Sequence, residues 1–223
     1  MIYQKYVKRI LDITLSGAAI IVLSPVMGIT AILVKQKLGS PVIFKQKRPG
    51  KDEKIFTMYK FRTMTDKWDE KGELLPDNIR LTKFGKMLRS MSLDELPELF
   101  NIFKGDMSVV GPRPCVTYEL GDFETLNKKY RKRFEVKAGL TGWAQIKGRN
   151  DISWDKKVTY DNEYVDLFRK YGFLIDIKVG LMSLFKAFKK EKIYENKVDE
   201  SLNDEEAAKA EEAEIIRLAH LAD

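Results

Sequence analysis

Asp94 and Glu95 are adjacent carboxylates in Ser92-Leu-Asp-Glu-Leu-Pro-Glu-Leu-Phe-Asn101, and they are followed by Gly111-Pro-Arg-Pro114. Two prolines hold the backbone around Arg113, and a fixed guanidinium suits bidentate binding of phosphate. Arg89, Lys60 and Arg62 supply further cations upstream. Together they could support attack by a carboxylate on phosphorus, with cations holding the charge that develops. Each feature also has a plainer reading. Ser92 and Glu95 have the Ser-x-x-Glu spacing of a capping box, and acidic residues are favoured in a first helical turn. Pro97 complicates that register. With Ser92 as cap it falls where a backbone donor is first needed, whereas with Asp94 as cap it lies harmlessly in the first turn. A single Arg or Lys is commonly just a solvated surface charge.

Other chemistries are excluded by what the chain lacks. Its one histidine, His220, lies in an acidic tail, which rules against Ser-His-Asp or Cys-His catalysis. Its one cysteine, Cys115, cannot form an internal disulfide and suits a reducing, cytosolic setting. Net charge is +7, but residues 195–223 hold three Lys or Arg against ten Asp or Glu, so the body of the chain is far more basic than the total suggests. Such a body suits anionic lipid headgroups or phosphate-bearing substrates. Nucleic acid competes for the same charge, but zinc-finger spacing, RNA-binding aromatics and a basic zipper are all missing from the sequence, so no nucleic-acid partner is expected.

The elements that must position these residues begin with a membrane anchor. Ile13 to Val34 carries no charged side chain and is long enough to cross a bilayer, with Ser24-Pro25 near its centre. Proline there removes a backbone donor and clashes with the carbonyl of Ile21, which predicts a kink or break. Lys5, Lys8 and Arg9 precede the run and Lys35 and Lys37 follow it, so charge on both sides allows both ends to face the cytoplasm. On pattern alone a single kinked span is the commoner explanation. The run exceeds the apolar core of a cleaved signal peptide. Asp12 is expected at headgroup level, since a lone carboxylate in hydrocarbon is costly.

Beyond the anchor, Pro41 to Phe44 and Lys54 to Phe61 are expected to pair as a hairpin around Arg48-Pro-Gly-Lys51. Helices are expected over 80–90, from near Ser92 to Phe103, over 123–136 (basic) and over 153–171, with a loop at 105–114 and a turn at 139–142. In 176–190, Ile177, Leu181, Leu184, Phe185 and Phe188 share one side of a helix while lysines lie elsewhere, a division that fits a membrane interface. A core-facing surface helix would show the same pattern. The Ala- and Glu-rich tail is expected to be a loosely attached helix or disordered.

Four motifs occur in order: Lys60-Phe-Arg-Thr-Met64, Leu93-Asp-Glu-Leu-Pro-Glu98, Gly105-Asp-Met-Ser-Val-Val-Gly-Pro-Arg-Pro114 and Gly139-Leu-Thr-Gly-Trp-Ala-Gln145. Together they resemble the bacterial sugar transferase family, the monotopic phosphoglycosyl transferases, over roughly residues 1–190, and most closely its small PglC-type members, which begin protein glycosylation. The resemblance implies transfer of a phosphosugar from a UDP-sugar to polyprenyl (undecaprenyl) phosphate with release of UMP. By family chemistry the nucleophile is Asp94, and a divalent cation, Mg²⁺, is expected at Asp94 and Glu95. Glu95 either positions the metal or handles a proton. Arg113 and Arg89, and then Lys60 and Arg62, are the expected phosphate contacts. An aspartate near its ordinary pKa of about 3.9 is anionic at neutral pH and needs no base. The sugar implied is an N-acetylated amino sugar such as diacetylbacillosamine.

The resemblance also implies that the anchor is re-entrant, broken at Ser24-Pro25. The expected fold is therefore α+β and mainly helical. It comprises a re-entrant membrane helix-break-helix (1–38), a cytosolic catalytic domain (39–190) with a small β-hairpin and interfacial amphipathic helices, and an acidic tail (191–223). That places the chain monotopically on the cytoplasmic face of a bacterial inner membrane, among inner-leaflet anionic phospholipids. Two rivals remain open. A nucleotide-sugar glycosyltransferase would release UDP and commonly uses Asp-x-Asp, a triplet the sequence lacks. A silent lipid-binding scaffold would leave the acidic pair and the Gly-Pro-Arg-Pro loop without a purpose.

Overall fold

A computed structural model describes residues 3–115, 128–148 and 152–188. The chain divides into two units, Met1–Phe185 and Lys186–Asp223, and the first holds the anchor, the hairpin and the acidic pair. The expected tail and part of the expected basic helix over 123–136 lie outside the described residues.

Helix α1 runs unbroken from Lys8 to Leu38, with Pro25 inside it. The Ser24 hydroxyl donates to the Ile21 carbonyl at 2.8 Å. That carbonyl is the one whose usual partner Pro25 cannot supply, so serine replaces the missing donor and the turn survives the proline. The break expected at Ser24-Pro25 is therefore not seen, and the apolar run forms one helical element. By length and composition it could cross a membrane, and little of its apolar stretch is buried within the protein.

Both halves of α1 rest on the same globular body. Ala19, Ile20 and Leu23 pack against Met58, Leu99, Ile102 and Met107. Met27, Ala31, Val34 and Leu38 pack with Phe61 and Leu88. Its first turns are tied down by polar contacts. Arg9 donates to the carbonyls of Ile102 and Phe103, both at 2.7 Å. Asp12 accepts from Ser108 Oγ and the Val109 amide, both at 2.9 Å. Asp12 is thus buried within the protein, not at headgroup level as expected, because two donors from a strand replace the water it gives up.

The expected hairpin forms, with a longer first strand than expected: β1 (Ile43–Pro49) pairs antiparallel with β2 (Ile55–Phe61), matching Ile43 to Phe61 and Pro49 to Ile55, so that Arg48 and Pro49 lie in the strand and the turn falls over Gly50 to Lys54. Helix α2 (Asp77–Arg80) is a single turn, and α3 (Lys83–Ser90) is capped by Thr82, which accepts from the Gly85 amide at 3.0 Å. The next segment departs from expectation. In place of one helix from Ser92 there is a 3-10 turn (Leu93–Glu95) followed by α4 (Glu98–Lys104). Ser92 adopts a left-handed conformation, φ 55°, and makes no capping hydrogen bond, and Pro97 opens α4. Neither expected capping register holds, because proline at the start of α4 forces the preceding residues into a tighter turn.

The expected loop and turn also harbour strands. Ser108–Val110 (β3) pairs parallel with Gly139–Thr141 (β4), Ser108 opposite Gly139 and Val110 opposite Thr141. Three residues per strand are too few for a hydrophobic period to show in sequence. Glycine makes the pairing possible. A Cβ on Gly139 would lie 2.1 Å from the Gly111 nitrogen, and one on Gly111 would lie 2.3 Å from the Lys137 carbonyl oxygen. Helix α5 (Lys128–Arg131) leads into a 3-10 turn (Lys132–Glu135), and α6 (Trp143–Gly148), α7 (Trp154–Tyr171) and α8 (Phe173–Phe188) complete the body. Val110, Trp143, Ile146, Tyr164, Phe168, Ile175 and Val179 form its main core. On α8 the side chains of Ile177, Leu181, Leu184 and Phe185 are exposed, which excludes the core-facing alternative for that face.

Candidate active site

Three elements meet at the acidic pair. Strand β2 delivers Lys60, the 3-10 turn delivers Asp94 and Glu95, and the loop after β3 delivers Arg113. Arg113 straddles Glu95: Nη2 pairs with Oε1, and Nη1 lies 3.4 Å from Oε2. Lys60 Nζ lies 2.9 Å from Glu95 Oε1 and 3.1 Å from Glu98 Oε1. Glu95 is therefore pinned between two cations, while the Arg113 side chain keeps 41 % of its surface exposed and can still meet a ligand. Arg89, on α3, donates from Nε to Thr63 Oγ1 at 3.1 Å and is close enough to act on Asp94. This depends on Gly85, where a Cβ would lie 1.9 Å from the Thr63 carbonyl oxygen.

The neighbouring carboxyls are tuned differently. Burial would raise Glu95, but the charges of Arg113 and Lys60 more than offset it and hold its pKa at about 2. Asp94, only 7 % exposed, moves the other way: burial and the Glu95 charge raise it, and Lys60 and Arg89 pull back only in part. The sequence expectation of an unperturbed aspartate is corrected here, since the turn buries the side chain. Asp94 has no ion pair among the described residues. Glu98 is almost fully buried, and its carboxyl is raised by burial, against the pull of Lys60. Arg113 stays firmly protonated, since the acidic charge of Glu95 outweighs its burial.

Of the residues singled out in sequence, Asp94, Glu95, Arg113 and Lys60 converge, with Arg89 beside them. Arg62 does not join them. Its guanidinium donates to the carbonyls of Met64 (2.8 Å) and Ser40 (2.6 Å) and pairs with Asp66, so it braces the end of the hairpin. Glu98 joins the cluster without having been singled out. It lies one helical turn beyond Glu95, but a first-turn glutamate normally signals helix polarity and is solvated. Its burial behind Lys60 is visible only in three dimensions.

Among the described residues, no group of three or more His, Cys, Asp or Glu side chains could hold a metal ion. Asp94 and Glu95 nonetheless offer hard carboxylate oxygens at one place. This is the partial donor set that Mg²⁺ takes when substrate phosphates and water complete its shell.

The bacterial sugar transferase family matches residues 3–190. An uncharacterized sugar transferase of Bacillus subtilis, EpsL, is 49 % identical over 187 residues, covering 83 % of this chain and 89 % of that protein. A UDP-glucose:undecaprenyl-phosphate glucose-1-phosphate transferase of Klebsiella pneumoniae is 40 % identical over 188 residues, covering 81 % of this chain and 40 % of its own length. A UDP-N-acetylgalactosamine-undecaprenyl-phosphate N-acetylgalactosaminephosphotransferase of Aeromonas hydrophila is 39 % identical over 143 residues, 63 % of this chain and 34 % of that protein. The chain thus spans nearly all of the Bacillus relative but well under half of the other two. A family match over residues 3–190, with a relative 49 % identical over 83 % of the chain, establishes that the chain belongs to the bacterial sugar transferase family.

Proposed function

We propose that this protein transfers a phosphosugar from a UDP-sugar to undecaprenyl phosphate and releases UMP, through a covalent intermediate on Asp94. The observation that supports this most directly is that Asp94 is the one carboxylate of the cluster without an ion pair, beside a glutamate already committed to two cations. A buried carboxylate stripped of water is a stronger nucleophile, and the nearby Lys60 and Arg89 favour its charged form. In the first step an Asp94 oxygen attacks the sugar-bearing phosphorus. The bond from that phosphorus to the bridging oxygen breaks, and UMP leaves with the electron pair. In the second, an oxygen of undecaprenyl phosphate attacks the same phosphorus, the acyl–phosphate bond breaks, and the Asp94 carboxylate is regenerated. Neither step requires a proton.

Arg113, oriented by Glu95 and still partly open, holds phosphate oxygens in both steps, and Lys60 and Arg89 add positive potential. Glu95 therefore acts chiefly as a positioning carboxylate. Asp94 and Glu95 would hold Mg²⁺, which neutralises phosphate charge when bound. The resemblance favours an N-acetylated amino sugar such as diacetylbacillosamine. The relatives' names include glucose as well as N-acetylgalactosamine, so assays should cover all three sugar types.

The reading places the protein monotopically at the cytoplasmic face of the inner membrane, with the continuous helix α1 held along the globular body. Packing of both arms of α1 on one body supports this, since a helix crossing the bilayer would carry its second half away from that body. The exposed apolar face of α8 suits the same interface, against anionic phospholipid.

The deciding experiment is intact-protein mass spectrometry after mixing protein, UDP-sugar and Mg²⁺ without lipid phosphate. A mass gain equal to one phosphosugar, absent in Asp94→Asn, is expected. Lack of an adduct, with UMP appearing only when lipid phosphate is present, would recast Asp94 as a metal ligand in direct transfer. Release of UDP would replace the reaction with glycosyl transfer.

A further inference from the structure

The loop that carries Arg113 cannot be held by backbone donors of its own at Pro112 or Pro114, because proline has no N–H. It is held by its carbonyls instead. The Pro112 carbonyl accepts from the Gly139 amide at 2.9 Å. The Pro114 carbonyl accepts from Arg48 Nη1 at 3.3 Å. Between them, the Arg113 carbonyl accepts from Arg133 Nη2, on the 3-10 turn after α5. That same nitrogen lies 3.0 Å from Asp161 Oδ2 on α7, and both side chains are only 3 % exposed. The Arg133 guanidinium also sits 5.0 Å from the Trp154 ring centroid and 5.7 Å from that of Phe134.

As a device for stability this pair is poor. Arg133 Nη1 and Asp161 Oδ1 are buried without a protein hydrogen-bond partner among the described residues. Burial pushes the Asp161 carboxyl up to about 6, against the pull of Arg133 and Lys157. An apolar pair of similar volume would avoid that desolvation cost. What an apolar pair could not do is donate to the Arg113 carbonyl.

We propose that Arg133, clamped by Asp161, is a positioning residue for the reaction: it fixes the backbone of Arg113 and so sets the angle at which Arg113 meets Glu95 and the substrate phosphate. The chain of contacts runs from Asp161 on α7 through Arg133 to the Arg113 carbonyl, and from the Arg113 side chain to Glu95. It rests on the reading of Arg113 as a phosphate-binding residue. Displacement of a binding group by about 1 Å can cost on the order of a hundredfold in rate.

The test is a double-mutant cycle on UMP release by the full chain in detergent, measuring kcat, KM and melting temperature. The variants are Arg133→Lys, Asp161→Asn, Arg113→Lys and each of the first two combined with Arg113→Lys. Arg133→Lys and Asp161→Asn should each lower kcat by about tenfold to a hundredfold. Combined with Arg113→Lys, they should lower it by no more than about twofold to threefold further, because their effect passes through the Arg113 guanidinium. Multiplicative losses in the double variants would overturn the proposal. So would wild-type turnover in both single variants, or melting temperatures so low that unfolding alone explains the loss. Wild-type turnover in Arg113→Lys would remove the premise as well, and is told apart from the other failures because it appears without any change at Arg133.

Discussion

Burial would raise the carboxyls of Asp94 and Glu95 alike, yet the two diverge because Arg113 and Lys60 contact only one of them. This has a consequence in acid. The Glu95 pKa of about 2 lies below its ordinary 4.5, so the unfolded chain takes up the proton first. The ion pairs of Glu95 therefore contribute stability that is fully present above about pH 4.5 and is lost as pH falls towards 2. In Glu95→Gln that contribution, at most about 3 kcal/mol, is missing at neutral pH. Denaturant unfolding at several values between pH 6 and 3 should show a shallower pH dependence in the variant than in wild type. In the proposed reaction Arg113→Lys keeps the charge but loses the fork that would grip Glu95 and phosphate together, so kcat/KM for UMP release should fall by about a hundredfold with little change in melting temperature.

At the scale of elements, α3 reaches the segment that follows the hairpin because Gly85 has no side chain. A Cβ there would lie 1.9 Å from the Thr63 carbonyl oxygen, and backbone cannot yield as a flexible side chain can. Gly85→Ala should destabilise the fold by about 1–3 kcal/mol, read as a lowered melting temperature. Its loss of turnover should exceed what unfolding explains, since Thr63 also anchors Arg89. Elements differ in how far the sequence reveals them. The hairpin, α7 and the amphipathic division of α8 were readable, because periodicity is a local signal. Strands β3 and β4 were not, since they are too short to carry a period and are defined by a parallel partner. The capping box at Ser92 misled because proline at the head of α4 outweighed it.

For the molecule as a whole, the exposed apolar side chains of α1 and α8 are the surfaces that the proposed reading turns to the membrane. Leu181 and Phe185 are 52 % and 75 % exposed, so replacing them removes little packing. Leu181→Glu and Phe185→Glu should therefore leave the melting temperature in detergent within about a degree of wild type, as surface substitutions do. Binding to vesicles containing anionic lipid, measured by flotation, should weaken several-fold with each change. Unaltered flotation would place α8 away from the lipid.

What the sequence determined by itself was the chemical inventory: an acidic pair, an arginine locked between prolines, one long apolar run and four ordered motifs that identify the family. These are local facts of residue type and spacing, and they survive any fold that keeps them. Tertiary structure decided which charges meet. It sent Arg62 to brace the hairpin, buried Glu98 behind Lys60, tied Asp12 to β3, and set Arg133 against the Arg113 carbonyl. Those outcomes depend on which distant groups share a buried space, and electrostatics there follows distance and desolvation, which chain order does not encode residue by residue.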